Sequence, residues 1–461
     1  MPSGPDPVAR ITLGLVTPPA EVLPGRPETG LRVLGIPTLD AAFNPRSNAL
    51  NALRLVLAAC VIVSHAWVVG GYGAPPTLGG TDLGMFAVCG FFALSGYLVA
   101  GGRLGSGAAA SAAPAPALLP FLWRRFLRIY PAFLVVLLVT ALVFAPVSLL
   151  LSEPGATLSW PSAANYVFAN SGLHITQWGS DGTLGAARLP VWNVPLWTLV
   201  FEALCYLAVG VLASVLPRRL FAPAAMLLLG ALTVATLLLT SSASATFAVN
   251  LVSLGSFFVA GVVLFVLRQR MPLAASLALV AAALVVLTLA LGVFTPLGAL
   301  PVAYVLMYLG ARLPVRVGSR TDISYGLYVY GFAVQQLLVL CAIALGVAGL
   351  PVAVFAAVSV AATVPFALAS WFLVERPALR LKRMLPRRPA PPADRVPYAA
   401  LATRRAARPL TATLRGARRG ARGAAAARRW SSRTPRAAPP TRGYSSWRAC
   451  SRSCRTAGSM G

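Results

Sequence analysis

The first long apolar run of the sequence, NALRLVLAACVIVSHAW, carries an arginine and a histidine eleven residues apart, Arg54 and His65. Ionisable groups inside such a run are expensive to bury, so they mark function by default. Eleven residues of helix rise about 16 Å, and three turns bring a side chain back to nearly the same face. Arg54 is therefore expected near one membrane boundary and His65 in the opposite half of the bilayer. A neutral imidazole accepts a proton near neutral pH, which suits it to general-base work. The competing use is a histidine hydrogen-bonded inside a helix bundle.

A second group lies in FLWRRFLRIYPAF, which holds Arg124, Arg125, Arg128 and Tyr130. Arg125 and Arg128 share a helix face at three-residue spacing, and guanidinium forks grip phosphate bidentately. Anchoring at the interface explains Arg124; Arg128 lies a full turn further in. Glu202, in VPLWTLVFEALCYL, needs a partner at its depth, and His65 or an arginine would serve. Asp82, just before the second apolar run, is the alternative group for orienting the imidazole. Within that run Gly84, Gly90 and Gly96 recur at six-residue intervals beside Ser95 and Tyr97. Small residues let helices approach closely or leave room for a threaded ligand, and packing is the simpler use.

These residues sit in a chain that is 57% apolar and only 11% charged over 461 residues, far from the balance of a soluble protein. The apolar residues come in runs of about twenty, the length that spans a bilayer as a helix. Ten spans are read near 50–69, 84–101, 121–145, 195–215, 220–240, 246–267, 272–291, 294–311, 323–346 and 351–374. The expected fold is all-α, a polytopic membrane protein. No secretory signal is read ahead of the first span. Basic residues follow the even-numbered spans: Arg103, Arg124 and Arg125; Arg218 and Arg219; Arg268 and Arg270; Arg312, Arg316 and Arg320; then the tail. The connections after odd-numbered spans hold only Arg188. By the positive-inside rule both termini are expected in the cytoplasm, in a multi-pass protein of the cell membrane.

The net charge of +28 is mostly a tail property. From Glu375 onward there are 22 Lys or Arg against two acids, leaving 17 against nine before it. Residues 1–47 read as a disordered arm with four acids and four arginines, residues 48–379 as the membrane domain, and residues 380–461 as a disordered cytoplasmic tail rich in Arg, Ala and Pro. The tail can meet anionic lipid headgroups. Its aromatic residues are too sparse for specific nucleic-acid binding, and none is expected. The connection from Val147 to Asn193 gathers Trp160, Asn165, Tyr166, Asn170, His174, Trp178 and Trp192. Such rings could meet a sugar face, but interfacial anchoring accounts for them. Cys60, Cys89, Cys205 and Cys341 lie in apolar runs and read as small hydrophobes. Cys450 and Cys454 lack nearby histidines, and no metal site is expected.

Six segments taken in order resemble the acyltransferase 3 family of membrane O-acyltransferases. They are Arg54 and His65 at Arg-x10-His spacing, Phe91–Leu98 (FFALSGYL), Arg124–Pro131 (RRFLRIYP), Pro195–Glu202 (PLWTLVFE), Ile323–Tyr330 (ISYGLYVY) and Ser370–Pro377 (SWFLVERP). The resemblance covers about residues 47–380. It implies a ten-helix domain that takes an acyl group, usually acetyl, from acyl-coenzyme A as donor substrate, with no tightly bound cofactor. The acceptor it implies is a hydroxyl of a carbohydrate or glycosylated small molecule. It carries essential roles to His65 and Arg54, and contact with the coenzyme to Arg125 and Arg128. One departure stands out: where the family's ninth span commonly reads Tyr-x-x-His-Phe-Pro, Gly331 and Ala333 occupy the His and Pro places.

The expected site follows from these readings. Arg54, Arg124, Arg125 and Arg128, with Ser95 and Tyr130 beside them, hold the donor. His65, oriented by Asp82 or Glu202, removes the proton of the acceptor hydroxyl or carries the acyl group itself. The rival from another class is a transporter or flippase of a lipid-linked or hydrophobic substrate. Transporters show internal repeats and matched broken helices, and the charged motifs of the first and third spans occur only once.

Overall fold

A computed structural model describes residues 35–384 apart from 46, 106–116, 152–154, 156, 240–246, 316, 319–320 and 348. The arm over residues 1–34 and the tail from residue 385 onward, including Cys450 and Cys454, lie outside the described residues.

A backbone with no water to bond must satisfy itself, so apolar runs of this length close into helices. Eight described helices are long and apolar enough to cross a membrane. They are α2 (Leu50–Val69), α3 (Leu83–Leu104), α4 (Leu118–Leu150), α6 (Val194–Val215), α7 (Arg218–Leu239), α8 (Phe247–Leu267), α11 (Ser324–Ala344) and α12 (Val352–Arg383). Shorter elements complete the series: α1 (Leu39–Ala42), α5 (Trp160–Asn170), α9 (Ala275–Ala290) and α10 (Ala299–Arg312). The seventh and eighth expected spans are thus shorter apolar helices, the latter preceded by a separate turn at Phe294–Leu297.

α3 and α8 are the most buried helices and pack along each other, while α7 is the least buried. Two glycines set the approach of that central pair. A Cβ on Gly96 would run into the Phe258 carbonyl oxygen, and one on Gly261 into that of Ala93. The six-residue glycine pattern is therefore used for packing at Gly96, where no larger residue fits without parting the helices.

The start of α3 is held by a two-stranded hairpin, β1 (Thr77–Leu78) against β2 (Thr81–Asp82). Gly79 and Gly80 form its tip at φ +55° and +79°, the backbone that tight hairpin turns demand. Asp82 then caps α3, accepting from the backbone N–H of Gly84 at 2.7 Å and of Met85 at 3.1 Å.

Part of the expected disordered arm is built into the domain. Thr38 bridges Pro272, Leu39 is fully buried, and Asp40 pairs with Arg268 at 2.8 Å. The buried Leu39 and the ion pair of Asp40 tie this segment down, so order begins before residue 47. The described part of the connection between α4 and α6 is likewise structured, with α5 capped by Ser159 and fastened through Asn170 and Gln177. Asn193, in left-handed backbone at φ +53°, donates to Thr140 and to the Tyr166 hydroxyl.

Candidate functional site

Two of the long helices contain a π turn, Thr140–Phe144 in α4 and Trp371–Glu375 in α12. Such turns widen the helix locally and re-aim side chains, often at functional sites. The second of them presents Glu375, which is buried, toward α4. There Arg128 Nη1 meets Glu375 Oε2 at 3.4 Å, and Arg128 Nη2 meets Asp322 Oδ2 at 2.6 Å. Arg54 Nη1 binds the same Asp322 oxygen at 2.8 Å. Ser324 donates to Asp322 Oδ1 through its hydroxyl at 2.6 Å and its N–H at 3.3 Å, and Ser370 donates to Glu375 at 3.1 Å. Arg128 also lies 5.9 Å over the Tyr325 ring. Four helices or their flanks are thereby joined in one charged plane at the end of the bundle that carries the arginines.

Burial would raise the Asp322 carboxyl, but the guanidinium groups of Arg54 and Arg128, with Ser324, outweigh it and hold the group below the usual carboxylate range. Asp322 is therefore ionised throughout the neutral range. Sequence reasoning missed both carboxylates. Asp322 falls one residue ahead of the ISYGLYVY segment and reads as a loop residue; Glu375 lies inside SWFLVERP, where only the pattern was noted.

Above this plane a narrow cavity of mixed polar and apolar lining opens between α2, α3, α6 and α11. Arg54, Phe91, Ser95, Thr198, Glu202 and Tyr328 are among its lining residues. Ser95 donates to Glu202 Oε1 at 2.8 Å, and the Tyr206 hydroxyl donates to the same oxygen. Thr198 and Tyr328 share a hydrogen bond, and Tyr328 donates to the Pro195 carbonyl at 2.6 Å. Glu202 thus faces Ser95 and Tyr206; the structure does not bring it to His65.

His65 lies further along α2. Its ring meets Phe332 edge-on at 5.2 Å between centroids, and Asp82 is the charged group acting on it. The residue before it, buried Ser64, donates to Asp82 Oδ1 at 2.7 Å. Among the described residues no hydrogen bond engages the imidazole, which is half-buried. One turn back, Gln335 donates to the Ile62 carbonyl at 2.8 Å. Gly331 packs so closely on Ile62 that a Cβ there would stand 2.6 Å from Ile62 Cγ1.

The other expected site residues separate. Arg125 turns away from Arg128 and lies over the rings of Tyr206 at 5.5 Å and Phe121 at 5.8 Å. Arg124 is exposed. Tyr130 stacks on Phe126 at 4.7 Å, part of an aromatic row along α4. Cys89 and Cys205 are buried and Cys60 and Cys341 half-buried, all as free thiols.

A bundle of membrane-crossing helices that encloses paired charges, a cavity lined by Arg54, Ser95 and Glu202 and, further along α2, an imidazole with no hydrogen bond among the described residues defines a polytopic membrane protein with an enzyme-like interior. The profile of the acyltransferase 3 family, described as an acyltransferase domain, matches residues 47–372. The chain belongs to that family and is a membrane acyltransferase. No curated protein and no solved structure matches it.

Proposed function

We propose that this acyltransferase moves an acyl group, acetyl in the simplest case, from cytoplasmic acyl-coenzyme A to a hydroxyl of a carbohydrate or glycosylated small molecule. The donor enters at the arginine-bearing end, which the basic loops assign to the cytoplasm of a cell-membrane protein. Its pantetheine arm follows the polar cavity past Arg54, Ser95 and Thr198 toward Phe332 and His65. Glu202, held by Ser95 and Tyr206, lines that path. The acceptor arrives from the opposite side, under the connection that contains α5. His65 takes the hydroxyl proton as the oxygen attacks the thioester carbonyl; the thiolate of coenzyme A leaves and receives a proton. Asp82 offsets the charge the imidazole gains.

The observation that carries this reading is the free imidazole beside a fixed carboxylate. A histidine placed only for packing in a bundle is hydrogen-bonded, whereas His65 has none of its nitrogens engaged among the described residues while its neighbour Ser64 pins Asp82. General-base assistance is worth about 10²–10⁴-fold. Membranes carrying His65→Ala, given labelled acetyl-coenzyme A and envelope or metabolite extracts, should lose acylated product by about that factor. Expression and membrane insertion should be unchanged. Undiminished transfer by that variant would remove His65 from the chemistry.

A further inference from the structure

The arginines at the basic end divide by whether a carboxylate answers them. Arg54 and Arg128 are paired with Asp322, and Arg128 also with Glu375. Arg103 and Arg125 have no ion pair among the described residues. Arg103 is only 1% exposed. Its Nη2 donates to the Gly210 carbonyl at 3.2 Å and to Ser214 Oγ at 2.5 Å, while its Nε and Nη1 are buried with no partner. Arg125 Nε is buried without a partner as well.

The two cations also share a neighbour. Arg103 stands 5.5 Å and Arg125 5.8 Å from the centroid of the Phe121 ring. Gly102 lies in the same place: a Cβ there would stand 2.9 Å from Arg125 Nη2, so Arg125 lies against the helix that carries Arg103. Glu202 makes no ion pair with Arg125, and its Oε1 already accepts from Ser95 and Tyr206. Burying a charge without a counter-charge costs far more than an aromatic face returns. Two such cations with three unanswered donor nitrogens match an oxyanion that presents several acceptors.

We infer that Arg103 and Arg125 form an anion site that takes a phosphate group at the basic end of the bundle. The chemistry fits two sources, a phosphate of acyl-coenzyme A or the headgroup of a phospholipid. Only the first rests on the donor reading above. Arg54 and Arg128, already neutralised, hold the helices together at the foot of the cavity.

The test uses the purified full-length protein in detergent, with Arg103→Gln, Arg125→Gln and, as control, the exposed Arg219→Gln. Coenzyme A binding is measured by calorimetry, and co-purifying phospholipid by native mass spectrometry. A donor site predicts that coenzyme A affinity falls about tenfold or more in either site variant, since each loses a charge-assisted contact, with bound lipid unchanged. A headgroup site predicts loss of bound phosphatidylglycerol with coenzyme A affinity unchanged. Wild-type binding of both ligands by both variants overturns the inference, as does a lowered melting temperature with no change in either ligand. Arg103→Lys, which keeps the charge and loses the fork, covers misfolding of the glutamine variants: saturating pyrophosphate should raise the melting temperature of the wild type and not of this variant. If wild-type protein binds no coenzyme A at all, the donor reading fails while the lipid measurement still decides the site.

Discussion

The two ends of the Arg54–His65 face solve opposite problems with the same kinds of side chain. At the basic end Arg54, Arg128, Asp322 and Glu375 close on one another, and Ser324 and Ser370 fill the remaining acceptor positions. At the other end Asp82 is fixed by Ser64 and two backbone N–H groups, yet the imidazole beside it has no hydrogen bond among the described residues. Groups whose partners are all present hold helices in register. A titratable group left open beside a pinned partner is poised to exchange a proton. The difference separates architecture from chemistry where residue type alone does not.

Removing the shared carboxylate should give the largest effect on stability. Asp322→Ala leaves Arg54 and Arg128 without their common partner, and breaking a buried ion pair from one side costs about 3–5 kcal/mol. We expect a sharp fall in folded yield and in the melting temperature of the purified protein. His65→Gln, by contrast, should leave both unchanged while transfer is lost. A variant lacking Asp322 that melts like the wild type would erase the contrast between the two ends. The pH dependence follows with its sign. Asp322 has a folded-state pKa below its unfolded value of about 3.9, so its stabilisation is complete above about pH 5 and is lost as pH falls toward the folded value. Melting temperatures of the wild type and of Asp322→Ala should therefore converge only in strong acid.

The sequence made the spans legible because a bilayer demands long apolar helices, and the α2 boundaries match the expected ones at both ends. It placed His65 and Arg54 on one face for the same reason, since helical periodicity needs no tertiary information. The partners were not legible. Asp322 and Glu375 lie 268 and 247 residues from the arginines they bind, a pairing that local pattern cannot express. Arg125 and Arg128 looked like one grip from their spacing, but their surroundings part them: Tyr206 of α6 and Phe121 of their own helix receive one, Asp322 and Glu375 the other. The ordered segment around Leu39 escaped notice because a single buried leucine and one ion pair carry it.

A middle-sized effect tests whether the two ends share a rigid frame. At Gly96 the obstacle is backbone, the Phe258 carbonyl, so α3 and α8 must separate to admit a methyl group. Gly96→Ala should cost about 1–3 kcal/mol, the range of an overpacked core, and show as a lower melting temperature. At Gly331 the obstacle is the movable Ile62 side chain, so Gly331→Ala should be milder and should recover when combined with Ile62→Val. Equal costs at both sites would mean that the helix spacing, not the side chain, yields at each.

The finest distinction lies within Asp82 itself, which both caps α3 and acts on His65. Asp82→Asn keeps an oxygen for the Gly84 and Met85 N–H groups, and asparagine caps helices about as well as aspartate. The melting temperature should therefore hold. The negative charge beside the imidazole is gone, however, and with it the stabilisation of the protonated ring that forms as the acceptor loses its proton. We expect transfer to slow by about tenfold, equivalent to roughly 1.4 kcal/mol. Ser64→Ala should do the reverse, costing about 1 kcal/mol of stability with little change in rate, because the two backbone N–H groups still hold the carboxylate. If Asp82→Asn transferred at the wild-type rate, the charge would have no part in the reaction and Asp82 would be a helix cap alone.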